Sequence, residues 1–332
     1  MSDIGTQLEM AGLEETLMFA EANYVGSNRT RAIAKVRTAH EIRSALPEPD
    51  DLSFLHSGLA QTCLPHSRPV SDSEPWMRSS GRFSLIISPG VVSSESEAKR
   101  ARYVGVPYGS KARLILIYLQ TEAVKTRLRT ISLGPSLAAF LRSLGLSSAT
   151  GGKHGTITSV REQCLRIAQC HFTLQWSETT KQGHQDIIQN TRLVDGLTLW
   201  SGRSGQRDWA GTVELSDRFF EHLREHAVPL DKRALSHLSD NSLGLDLYTL
   251  LAYRLPKLSR PLLLRWEALQ GQIGSSYNRT RTLSEKVKAS LLDVRAVYPE
   301  AKVETARGGI LLHPSPPAVP KTVVNGFRLA GG

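Results

Sequence analysis

An α+β fold, mainly helical, is predicted by three observations on the sequence. The order helix-strand-helix-helix-strand-strand can be read twice, once over 108–200 and once over 241–314, within expected domains of 108–212 and 213–316. Residue identity between the copies is low, so the repeat is one of architecture. In each copy the last helix carries a Ser/Thr-x-x-Glu pattern near its start, Ser159 with Glu162 and Thr282 with Glu285. That is a capping box, which satisfies N–H groups left free at a helix start. Finally, 332 residues with 40% hydrophobic content give cores for two or three domains and exclude a mainly disordered chain.

Taken in order, residues 1–51 hold an acidic helix-like piece (8–22) and a basic one, NRTRAIAKVRTAHEIRSAL. In the second, Ile33, Val36 and Ile42 leave a thin apolar stripe among Arg29, Arg31, Lys35, Arg37 and Arg43. Two readings stand here: a flexible, solvated charged segment, which the thin stripe favours, and a basic arm that follows phosphates. Pro47 and Pro49 end it. Residues 52–107, rich in Ser, Pro and Gly, read as an extension packing on the first repeat, with one strand over 82–88 and a polar loop over 91–102.

The first repeat opens with a helix over 111–124 whose Leu114, Ile115, Ile117, Tyr118 and Leu119 cover so wide a face that it must be buried. A strand (130–133) follows, then a helix through Leu137, Phe140, Leu141 and Leu144 that ends at Gly145, and then a basic loop, GGKHGT, holding Lys153 and His154. The helix over 158–170 turns Val160, Cys164, Ile167 and Ala168 inward. That leaves Arg161, Gln163, Arg166 and Gln169 outward, planar donors suited to guanine and adenine edges. Residues 171–176 alternate as a strand, 177–190 suit a polar hairpin tip, and 191–200 return.

A helix over 217–226 links or buttresses the copies, and the second repeat begins with a buried helix (241–255) and a strand plus short helix (261–274). Its third helix is entered through Ser275, Ser276, Tyr277, Asn278, Arg279, Thr280 and Arg281, begins at Thr282, buries Leu283, Val287, Leu291 and Val294, and stops at Pro299. Lys286 and Lys288 lie off the buried face. A short alternating run over 301–306 and an apolar run over 310–312 flank Gly308-Gly309 as a β-hairpin, and 317–332 form a tail. A helix entered through basic and amide side chains and followed by a basic hairpin is the order of a winged helix-turn-helix. The expectation is two tandem domains of that kind with a less ordered N-terminal region. The candidate DNA contacts are Lys153, His154, Ser159, Arg161, Gln163, Arg166, Gln169, Tyr277, Asn278, Arg279, Arg281, Thr282 and Lys286. For any single arginine among them the plain alternative is a solvated face; the matching place of both sets in the repeat argues against it.

The formal net charge of +10 and pI near 9.7 draw the chain to polyanions, without choosing among DNA, RNA and an acidic membrane. No apolar run reaches the ~18 residues of a membrane span, and MSDIGTQLEM is no signal peptide, so a cytoplasmic protein is expected. The sequons at Asn28 and Asn278 are then chance. Cys63, Cys164 and Cys170 show no C-x-x-C spacing and read as small buried thiols.

Enzyme motifs fail on spacing. VGVPYGSKAR has Gly-Ser-Lys where a phosphate loop needs Gly-Lys-Ser/Thr, and GGKHGT follows no hydrophobic strand. His222 and His226 stand four apart on a helix, but Leu223 occupies the place of the zincin glutamate. No His-x-His metal site of the rolling-circle nickase kind occurs. No catalytic activity, cofactor or metal is expected, and Trp176, Trp200, Trp209 and Trp266 flank apolar runs as core residues.

The runs FLHSGLAQTCLPHSRP, GRFSLIISPG, VGVPYGSKARLILIYLQTEAVKT, SVREQCLRIAQC, VELSDRFFEHLREHAVPLD, NSLGLDLYTLLAYRLPKL, LRWEALQGQIGSSYNRTRTL and PSPPAVPKT resemble the RepA replication initiators of bacterial plasmids, over about 52–328. The resemblance implies binding of repeated double-stranded sites at the plasmid origin, opening of the duplex, recruitment of the host initiator and replicative helicase, and repression of its own gene. By more distant analogy, paired winged-helix initiators switch between a repressing homodimer and an initiating monomer. The alternative is a winged-helix transcriptional regulator without initiator activity, and a third reading is a nucleoid or partition protein. Two unlike modules suit asymmetric direct repeats, whereas regulators dimerise one module on palindromes.

Overall fold

The computed structural model describes residues 3–81, 83–93, 101–146, 155–180, 183–191, 193–198, 211–274, 277 and 279–330. Lys153, His154 and Asn278 lie outside them. The fold is α+β, mainly helical with small sheets, and forms two units. One holds 1–53, 229–270 and 277–332; the other holds 54–228 and 271–276.

The first unit opens with α1 (Ile4–Asn23) and α2 (Gly26–Ser44). Asp3 caps α1, its carboxylate accepting from the Thr6 N–H at 3.2 Å. Where the thin stripe suggests a flexible segment, the structure has two packed helices. They bury Ile4, Leu8, Ala20, Ala32, Val36 and Ala39 in one cluster with Ala296. Charged residues tie α2 down as well. Arg43 donates to the main-chain oxygens of Ala296 and Arg295, and the Lys35 ammonium lies 3.2 Å from Asp240 and 3.8 Å from Asp293.

The chain passes to the second unit within β1 (Leu52–His56). There follow β2 (Trp76–Ser80), β3 (Phe83–Ser88), β4 (Val91–Ser93), β5 (Ala101–Tyr103), α3 (Gly109–Thr126), β6 (Thr130–Ser132), α4 (Leu137–Ser143), α5 (Thr156–Gln169), β7 (His171–Thr180), β8 (Gly183–Thr191), β9 (Val194–Thr198), β10 (Thr212–Leu215) and α6 (Asp217–His226). The helix α3 buries Ala112, Leu114, Ile115, Leu116, Ile117 and Leu119, as its continuous apolar face requires. Two of its polar side chains meet the edge of β1: Gln120 Oε1 accepts from the His56 N–H at 2.7 Å and Thr121 Oγ1 from the Phe54 N–H at 2.8 Å. One antiparallel sheet has the order β2-β3-β7-β8, with Leu85 opposite Leu174. A second has the order β6-β10-β9, with Val213 opposite Ile131. The polar stretch expected as a hairpin tip is therefore strand on both sides of 181–182, and the return is 183–191 rather than 191–200. Likewise the ends of the expected polar loop pair as β4 and β5, Val91 opposite Tyr103.

The chain returns within β11 (Ala227–Asp231) and continues through α7 (Lys232–His237), α8 (Ser242–Arg254), β12 (Leu262–Arg265), α9 (Trp266–Ile273), α10 (Thr280–Val297), β13 (Val303–Ala306), β14 (Gly309–Leu312) and α11 (Lys321–Ala330). Asn241 caps α8, accepting from the Gly244 N–H at 2.8 Å, and Leu243, Leu245, Leu247, Tyr248, Leu250 and Leu251 are buried. The antiparallel sheet β12-β14-β13 sets Leu264 opposite Ile310 and Val303 opposite Leu312. The hairpin needs its glycines. Gly308 turns with φ 85°, and a Cβ on Gly309 would lie 2.2 Å from the Leu264 carbonyl oxygen.

Candidate nucleic-acid interface

The start of α10 is displaced by one residue pair from its sequence signature. The helix begins at Thr280 with Arg279 at the cap position, so Thr282 lies inside it and no capping box forms there. Glu285 instead accepts from Arg281 Nε at 3.0 Å. The approach is held by Gln270, whose Nε2 donates to the Tyr277 carbonyl at 3.0 Å while its Oε1 accepts from Thr280 Oγ1 at 3.2 Å. Leu283, Val287, Leu291 and Val294 are buried as the spacing predicts. That orients the opposite face, and Arg279, Arg281, Thr282, Lys286 and Lys288 are exposed, the Arg281 side chain at 89%. Arg307 is exposed in the turn between β13 and β14, in the same unit.

The α5 set divides differently. The helix starts at Thr156, with Gly155 at the cap, and Ser159 is a half-buried residue of its first turns whose N–H donates to the Gly155 carbonyl. Arg161 is exposed, and Gln169 half-buried. Gln163 and Arg166 face inward, contrary to the outward placement read from the apolar stripe. Gln163 Oε1 accepts from the Tyr108 N–H at 2.9 Å. The Arg166 guanidinium donates to the Val106 carbonyl at 3.0 Å, to Glu162 Oε1 at 2.9 Å and to Asp72 Oδ1 at 3.3 Å. It also lies 5.1 Å from the centre of the Tyr108 ring. The reason is a chain segment covering that face: Val104 and Val106 are buried, and Gly105, with φ 75°, leaves the room that a Cβ 2.1 Å from Arg166 Nη1 would take away.

Sequence reasoning did not assemble the cleft of about 420 Å³ in the first unit. Asn28, Arg31 and Lys35 line one part, and Tyr277, Lys286 and Asp293 another. The histidines four apart on α6 gain a third neighbour. His56 Nδ1 accepts from the Gly58 N–H at 3.1 Å, so the proton sits on Nε2, 2.6 Å from His222 Nδ1. The three cysteines are buried, and none of them forms a disulfide. No helix among the described residues is long and apolar enough to cross a membrane.

The chain matches a family model described as plasmid-encoded RepA protein over residues 106–266, from just before α3 to the start of α9. The resemblance to that family is thereby shown, and it supports a role as a plasmid replication initiator. Among solved structures, domains 2 and 3 of RctB are similar at 14% identity with a TM-score of 0.47, over 76% of this chain and 94% of that one. A second structure of RctB domains 2–3 gives 14% identity and a TM-score of 0.45, over 77% and 94%. No curated protein matches the chain.

Proposed function

We propose that this chain is a cytoplasmic plasmid replication initiator that binds repeated double-stranded sites at its origin through two winged helix-turn-helix modules. In the first unit, α8, β12, residues 266–270 of α9, α10 and the β13–β14 hairpin make one module, with α10 entering the major groove and Arg307 meeting backbone beside it. In the second unit, α3, β6, α4 and α5 give the corresponding elements, with Arg161 at the reading end. The observation that carries the proposal is the start of α10: exposed basic side chains on a helix whose opposite face is fully packed, followed in the chain by a hairpin with an exposed arginine in its turn. Direct contacts then come from Arg279, Arg281 and Thr282, and Lys286 meets phosphate. The protein acts by binding and not as an enzyme. It helps open the duplex and recruits the host initiator and helicase, and a homodimer serves in repression.

Two experiments test this. A footprint of the full chain on its plasmid's origin should show repeated protected segments, and protection no different from that on random DNA would sink the proposal. Cloning the gene with its flanking DNA onto a marker without a replicon should yield a plasmid that establishes in a suitable host. Protection without establishment would leave a transcriptional regulator.

A further inference from the structure

We infer that the first turns of α2 belong to the DNA-contacting surface, with Asn28 and Arg31 holding backbone phosphates that flank the site read by α10; this rests on the reading of α10 given above. The basic residues of α2 divide by what they touch. Lys35 and Arg43 hold the helix in place: the Lys35 side chain is 8% exposed against Asp240 and Asp293, and Arg43 donates to main-chain oxygens at the end of α10. Arg31 is of another kind. Its side chain is 60% exposed and touches Asp240 at 3.6 Å through Nε.

The cleft that Arg31 and Asn28 line is also lined by Tyr277 and Lys286, which belong to the approach and the first turns of α10. An α2 cation and an α10 cation therefore share one open surface within one unit. Three cations, Arg31, Lys35 and Lys286, stand there against two carboxylates, Asp240 and Asp293. Lys35 engages both carboxylates, so the balance left for a partner is positive. Guanidinium, ammonium and amide donors on such a surface match the non-bridging oxygens of a phosphodiester backbone, a contact that positions a duplex without reading its sequence. Continuity with the start of α10 selects the DNA already held there as the occupant. In this arrangement α2 sets affinity and salt dependence, and α10 sets specificity.

The test is the salt dependence of binding by the full chain to a fluorescent origin duplex and to a scrambled one. Arg31→Ala should flatten the log–log slope by about 0.9, the contribution of one phosphate, and weaken both duplexes by the same factor. Arg31→Lys should keep the slope. Because Arg31 also touches Asp240, Asn28→Asp gives a second line: it should weaken both duplexes equally while thermal unfolding stays at the wild-type temperature. An unchanged slope for Arg31→Ala together with unchanged affinity for Asn28→Asp overturns the inference, and so does a loss confined to the origin duplex. Arg279→Ala and Arg281→Ala keep the two levels apart. If both bind the origin as tightly as wild type, or wild type binds neither duplex, the reading of α10 fails and takes this inference with it.

Discussion

The helices α5 and α10 hold the same place in the same order of elements, yet they spend their basic residues in opposite ways. On α10 one face is apolar and the other carries exposed Arg281, Lys286 and Lys288. On α5 the buried arc is wider, and Gln163 and Arg166 lie inside it under the segment around Val106. The surrounding strands differ too. In the first unit β12 pairs with β14, from the hairpin directly after α10. In the second, β6 pairs with β10, while the β7–β8 hairpin after α5 joins β3 instead. The same place in the order of elements thus does not decide what a basic residue does; the chain laid over the remaining faces decides whether it is buried as a tie or left exposed.

The largest effects should come from the helices that stand before α5 and α10. Phe140 on α4 is 1% exposed and Leu269 on α9 is fully buried. Phe140→Ala should cost about 3–5 kcal/mol and Leu269→Ala about 2–5 kcal/mol, through lost transfer energy plus the cavity left behind. Urea unfolding measures the cost, and hydrogen exchange locates it. A cost below about 1 kcal/mol at either site would deny that helix a core-building part and break the parallel.

The two arginines come next. Arg166→Ala strands Glu162 and Asp72 and the Val106 carbonyl, and because both carboxylates are about one-third exposed the loss should be about 2–3 kcal/mol, below the ~3–5 kcal/mol of a fully buried pair. Arg281→Ala, at an 89% exposed side chain, should change stability by no more than about 0.5 kcal/mol. Equal costs would erase the distinction between tie and contact. For binding the ranking reverses. Arg279→Ala or Arg161→Ala should weaken origin binding by about 1–3 kcal/mol if the side chain is bidentate to a guanine, whereas equal losses on origin and random DNA would mark a phosphate contact.

What the sequence made legible follows from the range of the interactions. The stripes Val160–Cys164–Ile167 and Leu283–Val287–Leu291 are local, and so is Gly308-Gly309 as a turn; each is where its pattern puts it. The burial of Arg166 was hidden because its partners, Val106 and Asp72, stand 60 and 94 residues away. The packing of α2 was hidden for the same reason: its ties, from Lys35 and Arg43, are charged residues that composition reads as solvated, and Arg43 reaches Ala296 across 253 residues. Strand β8, with the sequence GHQDIIQNT, looks like a loop because its pairing partner β7, not its own polarity, makes it a strand. The exposed candidates around α10 were legible because exposure follows from the opposite stripe alone.

The smallest effect near neutral pH sharpens the comparison of the two units, since among the described residues each has one deeply buried histidine, His56 and His237. In the second unit burial, then the facing His222 and His226, push the His56 imidazole down to about 3. In the first unit burial, then the Lys35 charge, push His237 down to about 3. A group held neutral in the fold but titrating near 6.5 when unfolded leaves the unfolded chain with more bound protons between those values. Stability is therefore complete above about pH 6.5 and falls as the pH drops toward 3. Between pH 7 and pH 6 each histidine should cost about 0.7 kcal/mol, rising by about 1.4 kcal/mol for each further pH unit. Urea midpoints across that range should fall together for the two units, and NMR titration should find both imidazoles neutral well below pH 6. If one of them titrates near 6.5 in the folded protein, the surroundings of that histidine are open to water, and the two units do not bury their histidines alike.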